Sequence, residues 1–256
     1  MQVQPEIRIL DTSANLSLAA ATEFAAHASQ AVLNHGRFFV ALSGGSTPKS
    51  LYSLLASGSV PNIPWEKIFF FFGDERFVPP DHPDSNYRMA RETGLFAKVS
   101  DNQVFRVRTE EKDADAAALD YEQTLRKFFG LQPGEFPRFD LVFLGLGPDG
   151  HTASLFPGTA ALNETRRLVV ANWVDKFQSY RITFTLPVLN RAACVMFLVA
   201  GADKADIVRE VLENENANLP SQKVRPPDGR LLWLLDRAAS QRLNRLTKKT
   251  SGPLKL

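Results

Sequence analysis

The sequence has one cysteine, Cys194, among 256 residues. A lone thiol excludes an internal disulfide and any metal cluster built on paired cysteines. Its place in the apolar run AACVMFLVA predicts a buried, inert side chain. The four histidines are scattered and no HxxxH spacing occurs, so no metal and no cofactor is expected. No apolar stretch approaches the ~20 residues that span a bilayer. MQVQPEIRIL lacks a basic start followed by a long apolar core, so no leader peptide is expected. Excess charge is missing too: the formal net charge is +2, which argues against nucleic acid and against a membrane surface. The basic stretch QRLNRLTKKTSGPLKL is expected to be a solvated helix end with a frayed tail. There is no internal repeat and no low-complexity segment. No GxGxxG opens a helix, and GLGPDG at 145–150 matches that pattern only superficially, so a dinucleotide is unsupported. No GKS or GKT follows the glycine loop at 44–45, and no GxSxG elbow is present. These absences leave a soluble, cytoplasmic protein, a monomer or small homo-oligomer, whose partner is a small molecule.

What is present is 44% hydrophobic residues arranged in short runs. RFFVAL (37–42), KIFFFFG (67–73), FDLVFLG (139–145), RRLVVA (166–171), ACVMFLVA (193–200) and RLLWLL (230–235) lack polar alternation, as strands covered on both faces do. Amphipathic segments lie between them: one ends at Gly36, one at Gly130, and a third is ADKADIVREVLENEN. Glycine just past a helix is a stop signal. The alternation predicts an α/β fold, a mostly parallel sheet with helices on both faces in three α/β/α layers. The Pro/Gly-rich spots are too short for linkers, so residues 1–256 are expected to form one domain.

In an open parallel sheet, ligands collect beyond the carboxyl ends of the strands. After RFFVAL comes SGGSTPKSLY. Gly44 and Gly45 permit a tight turn, Thr47 fits a helix N-cap and Pro48 the first helical position. Free N–H groups of Ser43, Gly44, Gly45, Ser46 and Thr47 beside a positive helix end would suit a phosphate, although an ordinary capped turn reads the same. After KIFFFFG comes DERFVPPDHPDSNY, where Asp74 would accept sugar hydroxyls and Arg76 attract a negative oxygen, or both would join a surface ion network. After FDLVFLG, the Asp149-Gly150 turn would lift His151 into the crevice, where an imidazole trades protons near neutrality. Lys204, near a helix start, and Arg181, opening RITFTLP, would make a three-sided anion site with the glycine loop, although each alone reads equally as a solvated cation.

SGGSTPKSLY, DERFVPPDHPDSNY, FDLVFLGLGPDGHTASLFPGT, RITFTLPVLN, FLVAGADKADIV and WLLDRAAS resemble the 6-phosphogluconolactonase family in order and spacing, over roughly residues 35 to 240. The resemblance implies a Rossmann-like fold and cofactor-free hydrolysis of a phosphorylated sugar lactone, 6-phospho-D-glucono-1,5-lactone. It implies His151 as general base and a phosphate held by the SGGST loop, Arg181 and Lys204. Asp149 or Asp74 would orient the imidazole, and Arg76 or N–H groups near Gly147–Gly150 would meet the oxyanion. The related glucosamine-6-phosphate deaminases carry a glutamate five residues after the histidine. This sequence has Phe156 there, which holds no proton and favours the lactonase. Gly73, before Asp74, is a smaller residue than is common in the family. A sugar-phosphate sensor that binds without catalysis is the other alternative.

Overall fold

The computed structural model describes residues 4–244; most of the basic tail, from 245 onward, lies outside them. The strands are β1 (Glu6–Leu10), β2 (Phe38–Leu42), β3 (Ile68–Phe72), β4 (Asp74–Arg76), β5 (Val104–Phe105), β6 (Leu141–Leu144), β7 (Val169–Val174), β8 (Ser179–Phe184), β9 (Cys194–Val199) and β10 (Arg230–Asp236). The α-helices are α1 (Ser13–His35), α2 (Ser46–Ala56), α3 (Asn86–Glu92), α4 (Ala114–Phe129), α5 (Leu186–Asn190) and α6 (Ala205–Glu213). Seven strands form one parallel sheet in the order β1-β10-β9-β6-β2-β3-β5.

Strand residues alternate between two cores, because successive side chains point to opposite faces. Val40, Phe70, Phe72, Phe143 and Leu232 pack with Phe24 of α1 and Leu51 of α2. Ala41, Phe71, Val142, Phe197 and Trp233 pack with Tyr121 of α4 and Val208 of α6. The FFFF run is therefore core, shared between the two faces, and the three-layer arrangement follows. Cys194 is fully buried, and burial pushes its thiol up to about 12. The helix stops hold: Gly36 and Gly130 adopt left-handed φ of 80° and 63° at the ends of α1 and α4.

One expected strand, RRLVVA, belongs elsewhere. RRLVVA contributes to β7 and RITFTLP to β8, and both join β4 in a separate three-stranded antiparallel sheet. A buried apolar run does not disclose the direction of its partner. The large sheet instead gains β1 and the two-residue β5. Gly73 links β3 to β4, and a Cβ there would meet only ordinary contact, 3.5 Å from the Leu42 carbonyl. No helix among the described residues is long and apolar enough to cross a membrane.

Candidate active site

The carboxyl ends of β2, β6 and β9 open into a cleft of about 380 Å³ lined by Ser43–Thr47, Asp74, Arg76, Gly147, His151 and Lys204. Helix α2 begins at Ser46 rather than at Pro48, with Gly45 as N-cap at φ 109°. Thr47 and Pro48 are thus its second and third residues, a correction to the expected cap. No side chain caps this helix, so its first N–H groups are left for a ligand. Tyr52, from the same helix, fixes the start of the loop. Its hydroxyl receives the Ser43 N–H and donates to the Ser43 carbonyl, both at 2.9 Å. Lys204 stands at the N-cap of α6, its ammonium 3.8 Å from the exposed Asp203 carboxylate. Buried Asp236, in the WLLDRAAS segment, holds that turn by accepting the Gly201 N–H at 3.1 Å.

Of the four histidines, only His151 lines the cleft. His35 bonds Asp140, His27 lies 3.6 Å from Glu23, and exposed His82 accepts the Asp84 N–H. His151 follows a turn closed by Gly150 N–H to Gly147 O at 3.0 Å and Gly147 N–H to His151 O at 2.9 Å. Gly150 has φ 76°. A Cβ on Gly147 would lie 2.0 Å from the imidazole, so the ring occupies the space that a side chain would fill. Phe156 stacks on the other face, with centroids 4.0 Å apart.

Imidazole Nδ1 is hydrogen-bonded to Asp149 Oδ1. Burial works to raise the Asp149 carboxyl, but the bond to His151 and the charge of the imidazole hold it below its ordinary value. An ionised Asp149 only accepts, so Nδ1 donates to it, and whenever the imidazole is neutral the lone pair is the one on Nε2. Nε2 has no hydrogen-bond partner among the described residues. Lys176, from the β7–β8 turn, sits 3.8 Å from the other Asp149 oxygen. Asp74, 8% exposed, is held elsewhere: Oδ2 accepts Ser154 Oγ–H at 2.7 Å.

The sequence reading missed Asn86, which is fully enclosed. Its amide donates to the Asp74 carbonyl at 2.8 Å, and its Oδ1 accepts from Arg76 Nη1. A Cβ on Gly44 would collide with it at 1.9 Å. The double glycine signalled a close approach, but not by which residue. Buried Glu75 secures this loop by accepting N–H bonds from Arg76, Asn86 and Tyr87 and the Ser85 hydroxyl. Burial nonetheless pushes the Glu75 carboxyl up.

Arg181 departs from expectation. It lies inside β8, not at a strand end, and lines an adjoining hollow of about 310 Å³ rather than the loop cleft. The two spaces share Asp74, Arg76, His151 and Ala153. The glycine loop and Lys204 line the cleft with His151, while Arg181 lines only the adjoining hollow. Among the described residues, no group of three or more His, Cys, Asp or Glu side chains is placed to hold a metal ion.

The carboxyl edge of a parallel α/β/α sandwich thus brings an uncapped helix start and a lysine into one cleft with a carboxylate-held imidazole. The chain belongs to the family described as glucosamine-6-phosphate isomerases/6-phosphogluconolactonase, whose model matches residues 11–233. Within that family it falls among the lactonases. It is 46% identical to a 6-phosphogluconolactonase from Nostoc over 84% of this chain and 88% of that one. It is 39% identical to a chloroplastic 6-phosphogluconolactonase 3 of Arabidopsis thaliana over 93% of this chain and 75% of that one. The solved 6-phosphogluconolactonase of Trypanosoma cruzi superposes with a TM-score of 0.85 at 31% identity, covering 95% of this chain and 98% of that one.

Proposed function

We propose that this chain hydrolyses 6-phospho-D-glucono-1,5-lactone to 6-phospho-D-gluconate in the oxidative pentose phosphate pathway, as one cytoplasmic domain over residues 1–256, with His151 as general base. Kinship with the lactonases supports the reaction. The observation that carries the reading is the Asp149–His151 pair: Asp149 occupies Nδ1, Nε2 is without a partner among the described residues, and the imidazole lines a cleft that also holds an uncapped helix start and a lysine.

The phosphate rests on the Ser43–Thr47 loop and Lys204. Charge-assisted hydrogen bonds contribute about 1.5–3 kcal/mol each. Fixing this remote group orients C1 against the imidazole. Nε2 takes a proton as water attacks C1, and Asp149 stabilises the imidazolium that results. The N–H groups of Gly147, Gly150 and His151 are already engaged within the turn, and Pro148 has none. Arg76 and the Asp149 N–H are the donors left for the oxyanion. The bond from C1 to the ring oxygen then breaks, and that oxygen takes the proton from Nε2. Asp74, held by Ser154, grips sugar hydroxyls. With Phe156 stacked on the ring, the site has no second carboxyl at that position, beyond the Asp149 that holds the imidazole, for the additional proton transfers of an aldose–ketose isomerisation.

The test is proton release from freshly made lactone with purified protein. Hydrolysis well above the spontaneous rate is expected. A rate equal to that background overturns the reading, and ammonia release from glucosamine 6-phosphate would replace it with the deaminase.

A further inference from the structure

Arg76 and Arg181 stand directly opposite each other in the β4–β8 ladder. Like charges facing across antiparallel strands destabilise a sheet. Neither guanidinium has a carboxylate within ion-pair distance among the described residues. Arg76 Nη1 bonds neutral acceptors, the Asp84 carbonyl at 2.9 Å and the Asn86 amide. Arg181 lies against the ring of Phe177, 5.2 Å from its centroid. Burial and the Arg76 charge both act against the charged form of Arg181, only partly eased by Asp74, Asp84 and Glu75. The fold thus keeps an unneutralised pair where an anion would relieve it.

That pair lines the hollow adjoining the cleft of the glycine loop and Lys204; Arg76 and His151 border both spaces, and Arg181 only the hollow. A molecule with an anion at each end could occupy both spaces, which His151 lines in common. The lactone has one anionic end. Hydrolysis creates a second, at C1, the atom beside Nε2: the carbonyl oxygen and the oxygen from water become a carboxylate, the ring oxygen leaves as a hydroxyl, and one proton is released.

We propose that Arg181, together with Arg76, binds the carboxylate formed at C1, so that the adjoining hollow is a product-carboxylate site and not part of the phosphate clamp. The inference rests on the lactonase reading above and assigns Arg181 a different end of the ligand from Lys204. Two carboxylate oxygens suit a guanidinium fork, which donates in parallel. The consequence is a selective product inhibition that depends on the carboxylate.

The experiment is calorimetric binding of 6-phosphogluconate and of sorbitol 6-phosphate, which carries a hydroxymethyl group in place of the carboxylate, to wild type, Arg181→Gln and Lys204→Gln. Arg181→Gln is expected to weaken 6-phosphogluconate by about 10- to 100-fold, the loss of a charge-assisted fork, and sorbitol 6-phosphate by less than about twofold. Lys204→Gln is expected to weaken both alike. Equal losses for the two ligands in Arg181→Gln, or no loss in either, overturn the inference. The wild-type lactone assay separates the two failures. Wild type without hydrolysis above background removes the lactonase reading and this inference with it. Hydrolysis combined with equal ligand losses removes this inference alone. Unliganded Arg181→Gln is expected to melt no lower than wild type, since it relieves the facing charges. Should it fail to fold, Arg181→Lys keeps the charge without the fork and should show the same selectivity at about 3- to 10-fold, with equal losses again overturning the assignment.

Discussion

Arg8 and Arg230 meet Glu6 and Glu23 in a closed ring of four charges, with every ion-pair contact between 2.6 and 2.7 Å. Arg76 and Arg181, also on neighbouring strands, meet no carboxylate at such distances. The first group ties β1 and β10 to α1 and needs nothing further. The second lies beyond the carboxyl end of β3, where the small sheet leans over the cleft, and its charge is left for a ligand. The same side chain is structural where its partners come with the fold, and available for binding where they do not.

The largest effect expected from this contrast is at the open rim. His151→Ala should lower kcat by ~10²–10⁴, the usual loss for a general base, with thermal stability close to wild type. Steady-state lactone hydrolysis beside a melting curve checks it, and near-normal turnover in a folded variant would remove His151 from the mechanism. Gly147→Ala should follow, at roughly 10²-fold in kcat, because its new methyl takes the place of the imidazole and displaces it from C1. An unchanged rate would mean that the turn shifts without cost.

At the closed ring the loss should appear in stability. Arg230→Gln leaves Glu6 and Glu23 partly unpaired and is expected to cost about 1–3 kcal/mol, read by denaturant titration, with kcat/KM within about twofold of wild type. The smallest effect is in its pH dependence. Burial works to raise the Glu6 and Glu23 carboxyls, but Arg230 and Arg8 hold both below the ordinary 4.5. Groups lowered in this way contribute fully above that value, and the contribution disappears as pH falls below it toward their folded values. Wild type should therefore lose stability in that acid window more steeply than Arg230→Gln. Parallel pH profiles for the two proteins would break the distinction between closed and open clusters.

The chemistry-bearing loops were legible because local patterns announced them. Double glycine after a buried run, Asp-Gly before a histidine, and lysine at a helix start are short-range signals, and each stands at the rim. Asn86 and Ser154 were not legible. Their roles are contacts with Arg76 and Asp74, made across 10 and 80 residues, and a polar residue in a loop does not reveal its partner. Asp149 and Asp74 were equivalent on the page; geometry assigns the first to the imidazole and the second to Ser154. Arg181 was grouped with the loop as a cation beside an apolar segment, whereas an antiparallel ladder sets it inside β8, opposite Arg76.

The sequence alone determined the layers and the two-faced Phe run, because hydrophobic period and glycine stops act over a few residues. It also determined which segments reach the carboxyl rim. Only the tertiary structure decided which rim groups share a space, which carboxylate holds the imidazole, and which arginines stay without a counter-charge. Those are distances between segments remote in the chain, fixed by strand order and by an antiparallel pairing that no local pattern encodes.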